Sequence, residues 1–257
     1  MRKMIQGRLS VFKFENFKKY KDIAHFITTK EGWVSGSKSR FTGDQKEEYA
    51  EFRKELAISC ETNAKQFVFP RQTHSDHIAV VTSADENTIA DTDALISNEP
   101  GLFVCVQTAD CVPILLYDPQ KKVVAAIHAG WKGTVSKIIL KTVQKMAGQF
   151  GCQPSDIVAG IGPSIHIHAY EVGPEVVEMV QNNFGNSPAL LKPSLNSGKA
   201  YFDLWEANRT VLAESGIADE NIEIMGLCSF EHSGLFYSAR RDGADTGRMV
   251  SGIRINN

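Results

Sequence analysis

Apolar positions along this chain follow two periods. At helical spacing, residues 47–58 carry Tyr49, Phe52 and Leu56, and residues 133–146 align Val135, Ile138, Ile139, Val143 and Met146 on one stripe. The second is the strongest helix in the pattern, and Gly151 and Pro154 follow it. Residues 175–182 and 204–215 read as two more helices, the latter with Asp203 as N-cap and Gly216 as its stop. The remaining apolar runs are short and strand-like. They cover residues 66–69, closed by Pro70, then 78–81, 102–107, 112–117, 123–128, 157–161 and 222–225. Asp118-Pro119 marks a turn between two of them, and the polar residues 36–45, with two glycines, read as a mobile loop. Strands crowd the middle of the chain without a regular strand–helix–strand rhythm. The pattern therefore favours mixed α/β or α+β layers over a doubly wound sheet.

Composition narrows the class without changing that picture. A chain of 257 residues, 42% hydrophobic, has enough apolar surface for one large domain or two small ones. A net charge of −2, with 23% charged residues, gives no global field for nucleic acid or an anionic membrane. The first residues lack the apolar run of a signal peptide, and no segment reaches the ~20 apolar residues of a membrane span. The five cysteines are odd in number and widely spread, which suits reduced thiols. The expectation is a soluble cytoplasmic protein with no nucleic-acid or membrane partner.

Candidate chemistry sits where strands give way to loops. His74 follows the run closed by Pro70, Cys111 interrupts two apolar runs, and His128 ends a strand before Ala129-Gly130-Trp131. Together they would form a site of two imidazoles and one thiolate. Three protein ligands leave a fourth tetrahedral position open, the pattern of catalytic zinc, and the same donor set suits copper. The bland reading of each residue alone is a partly buried histidine or a small apolar cysteine. His77 would point away from His74 in an extended segment and reads as a neighbouring or surface group. His166 and His168 would share one face if residues 165–168 formed a strand. Asp110 could orient a ligand or act as a base, against a plain role as a turn residue. Arg71 and Lys132 could meet an anion such as phosphate, or stand as solvated charge. Arg240 or Arg241 could enter a pocket or form ordinary ion pairs. Gly160-Ile161-Gly162-Pro163 lacks the spacing and following helix of a nucleotide fingerprint.

The motifs RQTHSDH (71–77), TDALIS (92–97), QTADCVPILLYDP (107–119), HAGWKGT (128–134), GIGPSI (160–165), YEVGPEV (170–176), FDLW (202–205) and FYSARRDGADTGRM (236–249) resemble the YfiH-like family. That family is described variously as polyphenol oxidase (laccase), peptidoglycan editing factor and purine nucleoside phosphorylase. The resemblance runs in order from about Ala24 to the C-terminus. It implies a single domain over residues 1–257, a layered α/β/β/α sandwich with mixed sheets of the YfiH/CNF1-like kind. It also implies a metal held by His74, Cys111 and His128, with zinc the first choice and copper the second. Implied reactions are phosphorolysis of adenosine, inosine, guanosine and methylthioadenosine, with adenosine deamination besides. Asp110 and Cys111 would then be catalytic, and Arg71, Gln72, Lys132 and Lys30 would bind substrate. The partners would be purine nucleosides and phosphate, and the chain a monomer or small homo-oligomer. One departure concerns the N-terminal part of the pocket. The family often has Ser-Thr-Arg followed by Asn-Leu-Gly, whereas this chain has Thr28-Thr29-Lys30 and then Ser39-Arg40-Phe41-Thr42-Gly43. Lys30 keeps the charge but lacks the fork of an arginine.

Seven histidines cannot furnish both the mononuclear site and the three-copper cluster of a full laccase. Zinc chemistry suits deamination directly. A metal-dependent amide hydrolase editing cell-wall precursors, and a binding module with a structural metal, stand as the other classes.

Overall fold

A computed structural model of the chain describes residues 3–83, 88–185 and 188–257. In chain order its N-terminal half runs β1 (Lys3–Gln6), β2 (Leu9–Phe12), β3 (Ile23–Thr28), α1 (Ala50–Ser59), β4 (Phe67–Pro70), β5 (Ile78–Val80), β6 (Thr88–Ile89), β7 (Ala94–Ser97) and β8 (Phe103–Thr108). Next come β9 (Val112–Asp118), β10 (Val123–Ala129), α2 (Trp131–Val135), α3 (Ile138–Phe150), β11 (Val158–Ile161), β12 (Glu171–Val172) and α4 (Pro174–Phe184). The chain ends with β13 (Leu191–Pro193), β14 (Ala200–Phe202), α5 (Leu204–Glu214), β15 (Ile222–Ile224), α6 (Ala239–Asp242) and β16 (Met249–Ile255).

The strands form a seven-stranded sheet in the order β1-β2-β3-β16-β8-β4-β6 and a six-stranded sheet in the order β15-β11-β9-β10-β7-β5. A small third sheet has the order β12-β14-β13. Most pairings are antiparallel, as along β9 and β10, with parallel pairs at β4–β8, β4–β6, β5–β7 and β11–β15. Alternation along each strand explains the layering. In β10, Val123, Ala125 and Ile127 pack with Ile138, Ile139, Val143 and Met146 of α3. Val124 and Ala126 face the other way and meet Val104, Val106 and Ile253 of the larger sheet. The outer face of that sheet, with Phe26, Phe67, Phe69 and Phe103, is covered by Phe52, Leu56 and Ala57 of α1. The order of layers is therefore helix, sheet, sheet, helices, as the motifs implied.

Three expectations need correction. The long helix expected over residues 133–146 begins two residues early and is broken, because Lys137 adopts a left-handed backbone (φ 55°) between α2 and α3. Residues 47–58 divide into a 3-10 turn at Lys46–Glu48 and then α1. His166 and His168 do not lie on a strand. His166 precedes a 3-10 turn at Ile167–Ala169 and His168 lies within it, with ring centroids 4.6 Å apart. Other local signals hold. Asp203 accepts from the Glu206 N–H at the start of α5. Gly160 sits in β11 where a Cβ would come within 2.6 Å of the Phe14 ring, so close sheet packing is the reason for that glycine. Residues 36–45 are irregular but tied down, since Phe41 N–H donates to Gln107 Oε1 and Ser39 Oγ donates to the Arg248 carbonyl.

Candidate metal centre and active site

The site lies where one end of both large sheets meets their connecting loops. The β8–β9 link brings Asp110 and Cys111, and β10 ends at His128-Ala129, paired with Pro113 and Val112. The pleat that turns Val124 and Ala126 between the sheets also turns His128 there. His74 lies in the loop after β4. Two non-glycine residues here hold positive φ, His74 at 58° and Asp110 at 90°. Such backbone strain concentrates at functional positions and persists only where surroundings enforce it.

Here the surroundings are Asp93, just before β7. Its fully buried carboxylate accepts the backbone N–H groups of Thr73, His74 and Ser75, at 3.2, 3.1 and 2.7 Å, and the Ser75 hydroxyl at 2.7 Å. It also faces His128 Nδ1 at 2.7 Å. One carboxylate thus fixes the His74 loop and turns His128 so that Nε2 is its remaining nitrogen. Burial pushes Asp93 upward, but hydrogen bonds from His128 and Ser75 outweigh it and hold it well below the usual carboxylate range.

His74, Cys111 and His128 each offer a ligand atom within 4.8 Å of the others, and among the described residues they are the one such group of three. Cys111 Sγ lies 3.8 Å from His74 Nε2. Burial pushes the Cys111 thiol up, yet the His128 and His74 imidazoles pull it down to about 6. Burial lowers His128, but the Cys111 thiolate and the Asp93 carboxylate raise it to about 9. A thiolate in reach of two imidazoles fits a borderline-soft cation, and Asp93 behind His128 is the carboxylate partner that metal-bound histidines commonly have. The glycine at position 130 completes the cradle. A Cβ there would stand 3.1 Å from Cys111 Sγ and 3.1 Å from His74 Cδ2.

The three side chains open into a cavity of about 590 Å³ lined also by Gln72, Thr108, Ile165, Tyr170 and three arginines, Arg40, Arg240 and Arg248. Asp110 is on its wall. The Asp110 carboxylate accepts the Ser229 hydroxyl (2.6 Å), the Ser238 hydroxyl (3.0 Å) and the Arg240 backbone N–H (2.7 Å), so it also anchors the start of α6. Of the expected substrate-binding residues, Gln72 lines this cavity, its amide locked on the Gln107 backbone by two hydrogen bonds of 2.8 Å. Arg71 is placed in an adjoining basin, paired with Asp44. Lys132 lines a separate hollow on the other side of His74, with Trp131 and Met179. Lys30 lines none of these spaces. Arg240 donates to the Glu171 carbonyl at 3.0 Å and lies over the Tyr170 ring, whereas Arg241 holds the carbonyls of Ser229, Phe230 and Phe236. His77 is a surface group against the Asp91 carbonyl.

Sequence reasoning missed Asp93, Arg40 and Arg248. Asp93 and Arg248 lie inside the motifs at 92–97 and 236–249, but nothing in their spacing announces their partners.

The family model described as multi-copper polyphenol oxidoreductase laccase matches residues 24–256. The chain belongs to that family. It is the YfiH-like family of the sequence motifs. A purine nucleoside phosphorylase of Bacteroides thetaiotaomicron is 36% identical over 95% of this chain and 95% of its own. Adenosine deaminase RL5, from an unknown prokaryotic organism, is 38% identical over 83% of this chain and 84% of its own. The crystal structure of the Bacillus licheniformis hypothetical protein YfiH superposes with a TM-score of 0.87 at 30% identity, covering 97% of each chain. The family's description and its relatives' names point to different reactions. The donor inventory bears on the choice: a multi-copper centre needs further histidine clusters, and the described residues hold one group of three. No helix among the described residues is long and apolar enough to cross a membrane.

Proposed function

We propose that the protein is a metal-dependent purine nucleoside enzyme. It cleaves adenosine, inosine, guanosine and methylthioadenosine by phosphorolysis and also deaminates adenosine. The observation that carries this reading is the His74–Cys111–His128 group opening into a cavity with three arginines on its wall. The volume suits a small polar ligand, and the names of the two relatives support the substrate class. Zinc is the favoured metal, with copper as the alternative for the same donors.

A zinc ion held by His74, Cys111 and His128 would supply Lewis acidity and lower the pKa of water at its open position. Asp93 orients His128 and fixes the His74 loop, so the ligands need little rearrangement. Cys111 contributes the thiolate, already favoured by its two imidazole neighbours. Tyr170 and Ile165 give the purine an apolar wall. Asp110, rigidly held and with an acceptor direction still open of its roughly four, is assigned the proton transfers of deamination. In that reaction water oxygen bonds to the amino-bearing carbon and ammonia leaves. In phosphorolysis a phosphate oxygen bonds to the ribose C1′ as the bond to the purine nitrogen breaks. The electron pair stays on that nitrogen, which takes up a proton. Positive side chains beside the cavity stabilise the phosphate and the charge it carries to the ribose.

The test is incubation of metal-assayed protein with adenosine, with and without phosphate, followed by chromatography. Adenine and ribose phosphate should appear only with phosphate, and inosine in both. An absence of turnover with zinc at one per chain contradicts the reading.

A further inference from the structure

Buried polar atoms without partners are rare, because leaving one unpaired costs more than a typical hydrogen bond returns. Thr108 Oγ1 is such an atom, on a residue only 2% exposed. Of the orphaned atoms among the described residues, it is the one whose residue lines the cavity of the metal group. Thr108 pairs across the sheet with Met249, the residue that follows Arg248. Arg248 lines the same cavity. Its guanidinium is steadied by the carbonyls of Thr246, Gly247 and Ala244, which leaves Nε and one Nη2 hydrogen without such a partner, and it forms no ion pair among the described residues. Arg40 is brought alongside by backbone stitching. The Arg248 N–H donates to the Ser39 carbonyl at 2.8 Å, and the Ser39 hydroxyl donates back to the Arg248 carbonyl at 2.8 Å. Arg40 has Asp245 as its ion-pair partner, but that carboxylate is 83% exposed, so the pairing is weakly held. Burial lowers the Arg248 pKa first and the neighbouring Arg40 charge lowers it further, while Cys111, Asp245 and Asp110 pull it back up without cancelling the shift.

We infer that Thr108, Arg248 and Arg40 form the subsite for the phosphate co-substrate, with the Thr108 hydroxyl completing its hydrogen bonding only when the anion is bound. This rests on the phosphorolytic reading above and makes it specific. Two guanidinium groups supply charge and forked donors, the geometry that favours phosphate oxygens. A small rotation of the Thr108 side chain would bring its hydroxyl to the cavity floor as a neutral donor. The positioning burden thereby falls on residues 40, 108 and 248 and not on Arg71, Lys132 or Lys30, which stand outside this cavity.

Thr108→Val separates this role from a structural one. It keeps the shape and removes the orphaned hydroxyl, so the metal-loaded variant should melt at the same temperature as the parent or higher. Its KM for phosphate should nevertheless rise about tenfold, the loss of one hydrogen bond. Thr108→Ser should restore most of it. Arg248→Met should raise the phosphate KM about a hundredfold, as expected for a charge-assisted contact. In both damaging variants phosphorolysis should fall at least about tenfold more than phosphate-independent deamination. A second readout needs no turnover. Inorganic phosphate alone should raise the melting temperature of the parent, and Arg248→Met should abolish that rise. A phosphate-dependent rise without any nucleoside chemistry would keep the subsite and sink the purine reading. Nucleoside turnover with phosphate KM and melting shift unchanged in Thr108→Val and Arg248→Met would overturn the subsite. A parent protein that phosphate does not stabilise at any concentration would overturn it as well.

Discussion

Two histidines in this protein are almost equally buried and have opposite fates. His25, 6% exposed in β3, lies between the sheets near Phe14 and Phe17, and burial, with Lys13 adding to it, drives its pKa down to about 3. Its Nε2 accepts the Phe14 backbone N–H at 2.9 Å, so that nitrogen is bare. His128, 3% exposed at the end of β10, suffers the same desolvation but faces a thiolate and a carboxylate, and rises to about 9. Burial alone therefore says little about what a histidine does. What decides is whether charged partners stand at the buried nitrogen atoms. The core keeps His25 neutral, whereas the strand ends gather negative groups that favour a positive charge at His128, proton or metal ion.

The sharpest way to break that contrast is to remove each ring. His128→Ala should lose the metal altogether, with metal content per chain near zero and turnover down by about a thousandfold or more. His25→Gln should keep a full complement of metal. If His128→Ala still binds one metal per chain, the site is misassigned. Next in size is Asp93→Asn, which leaves the shape but removes the charge behind His128. Metal affinity, measured by competition with a chelating dye, should fall about 10- to 100-fold. An unchanged affinity would reduce Asp93 to a loop anchor. Gly130→Ala should act more mildly, since its Cβ would press Cys111 Sγ and His74 Cδ2 apart. Metal affinity should drop by about three- to tenfold, because a shift of a few tenths of an ångström distorts the ligand geometry.

The smallest effect is confined to stability. The folded His25 pKa lies below its unfolded value, so the stabilisation from a neutral ring is complete above pH ~6.5 and is lost as pH falls towards 3. In that window the unfolded chain binds one proton more than the folded chain. Stability should therefore climb with pH by about 1.4 kcal/mol per unit from this group alone. Denaturant unfolding across pH 4–6 should show a slope that much shallower in His25→Gln. Parallel slopes would mean that His25 is already protonated in the fold.

The same contrast marks how far the sequence could be read. The grouping of His74, Cys111 and His128 was legible because each stands at a strand-to-loop change, where apolar runs stop and a metal-binding residue type appears. The helix stripe over residues 138–146 and the Asp203 cap were legible for equally local reasons. The break at Lys137 was not, since nothing in a lysine signals a left-handed backbone. Asp93 escaped because its role depends on β5 pairing with β7, which brings it beneath residues 73–75. Arg40 and Arg248 escaped because β16 at the end of the chain pairs with β8, and the Ser39–Arg248 hydrogen bonds join segments with no sequence proximity. The expectation that Arg71 and Lys132 would bind substrate rested on charge beside motifs, and that for Lys30 on the position matching the family's arginine. Charge in sequence does not tell which side of His74 a lysine occupies.

The central claim is a mononuclear centre built from His74, Cys111 and His128, and X-ray absorption at the zinc edge, combined with metal counting, tests it most directly. The expected result is one zinc per chain, with two nitrogen ligands at about 2.0–2.1 Å, one sulfur at about 2.3 Å and a further light-atom ligand. A shell without sulfur, or several metals per chain, would contradict it.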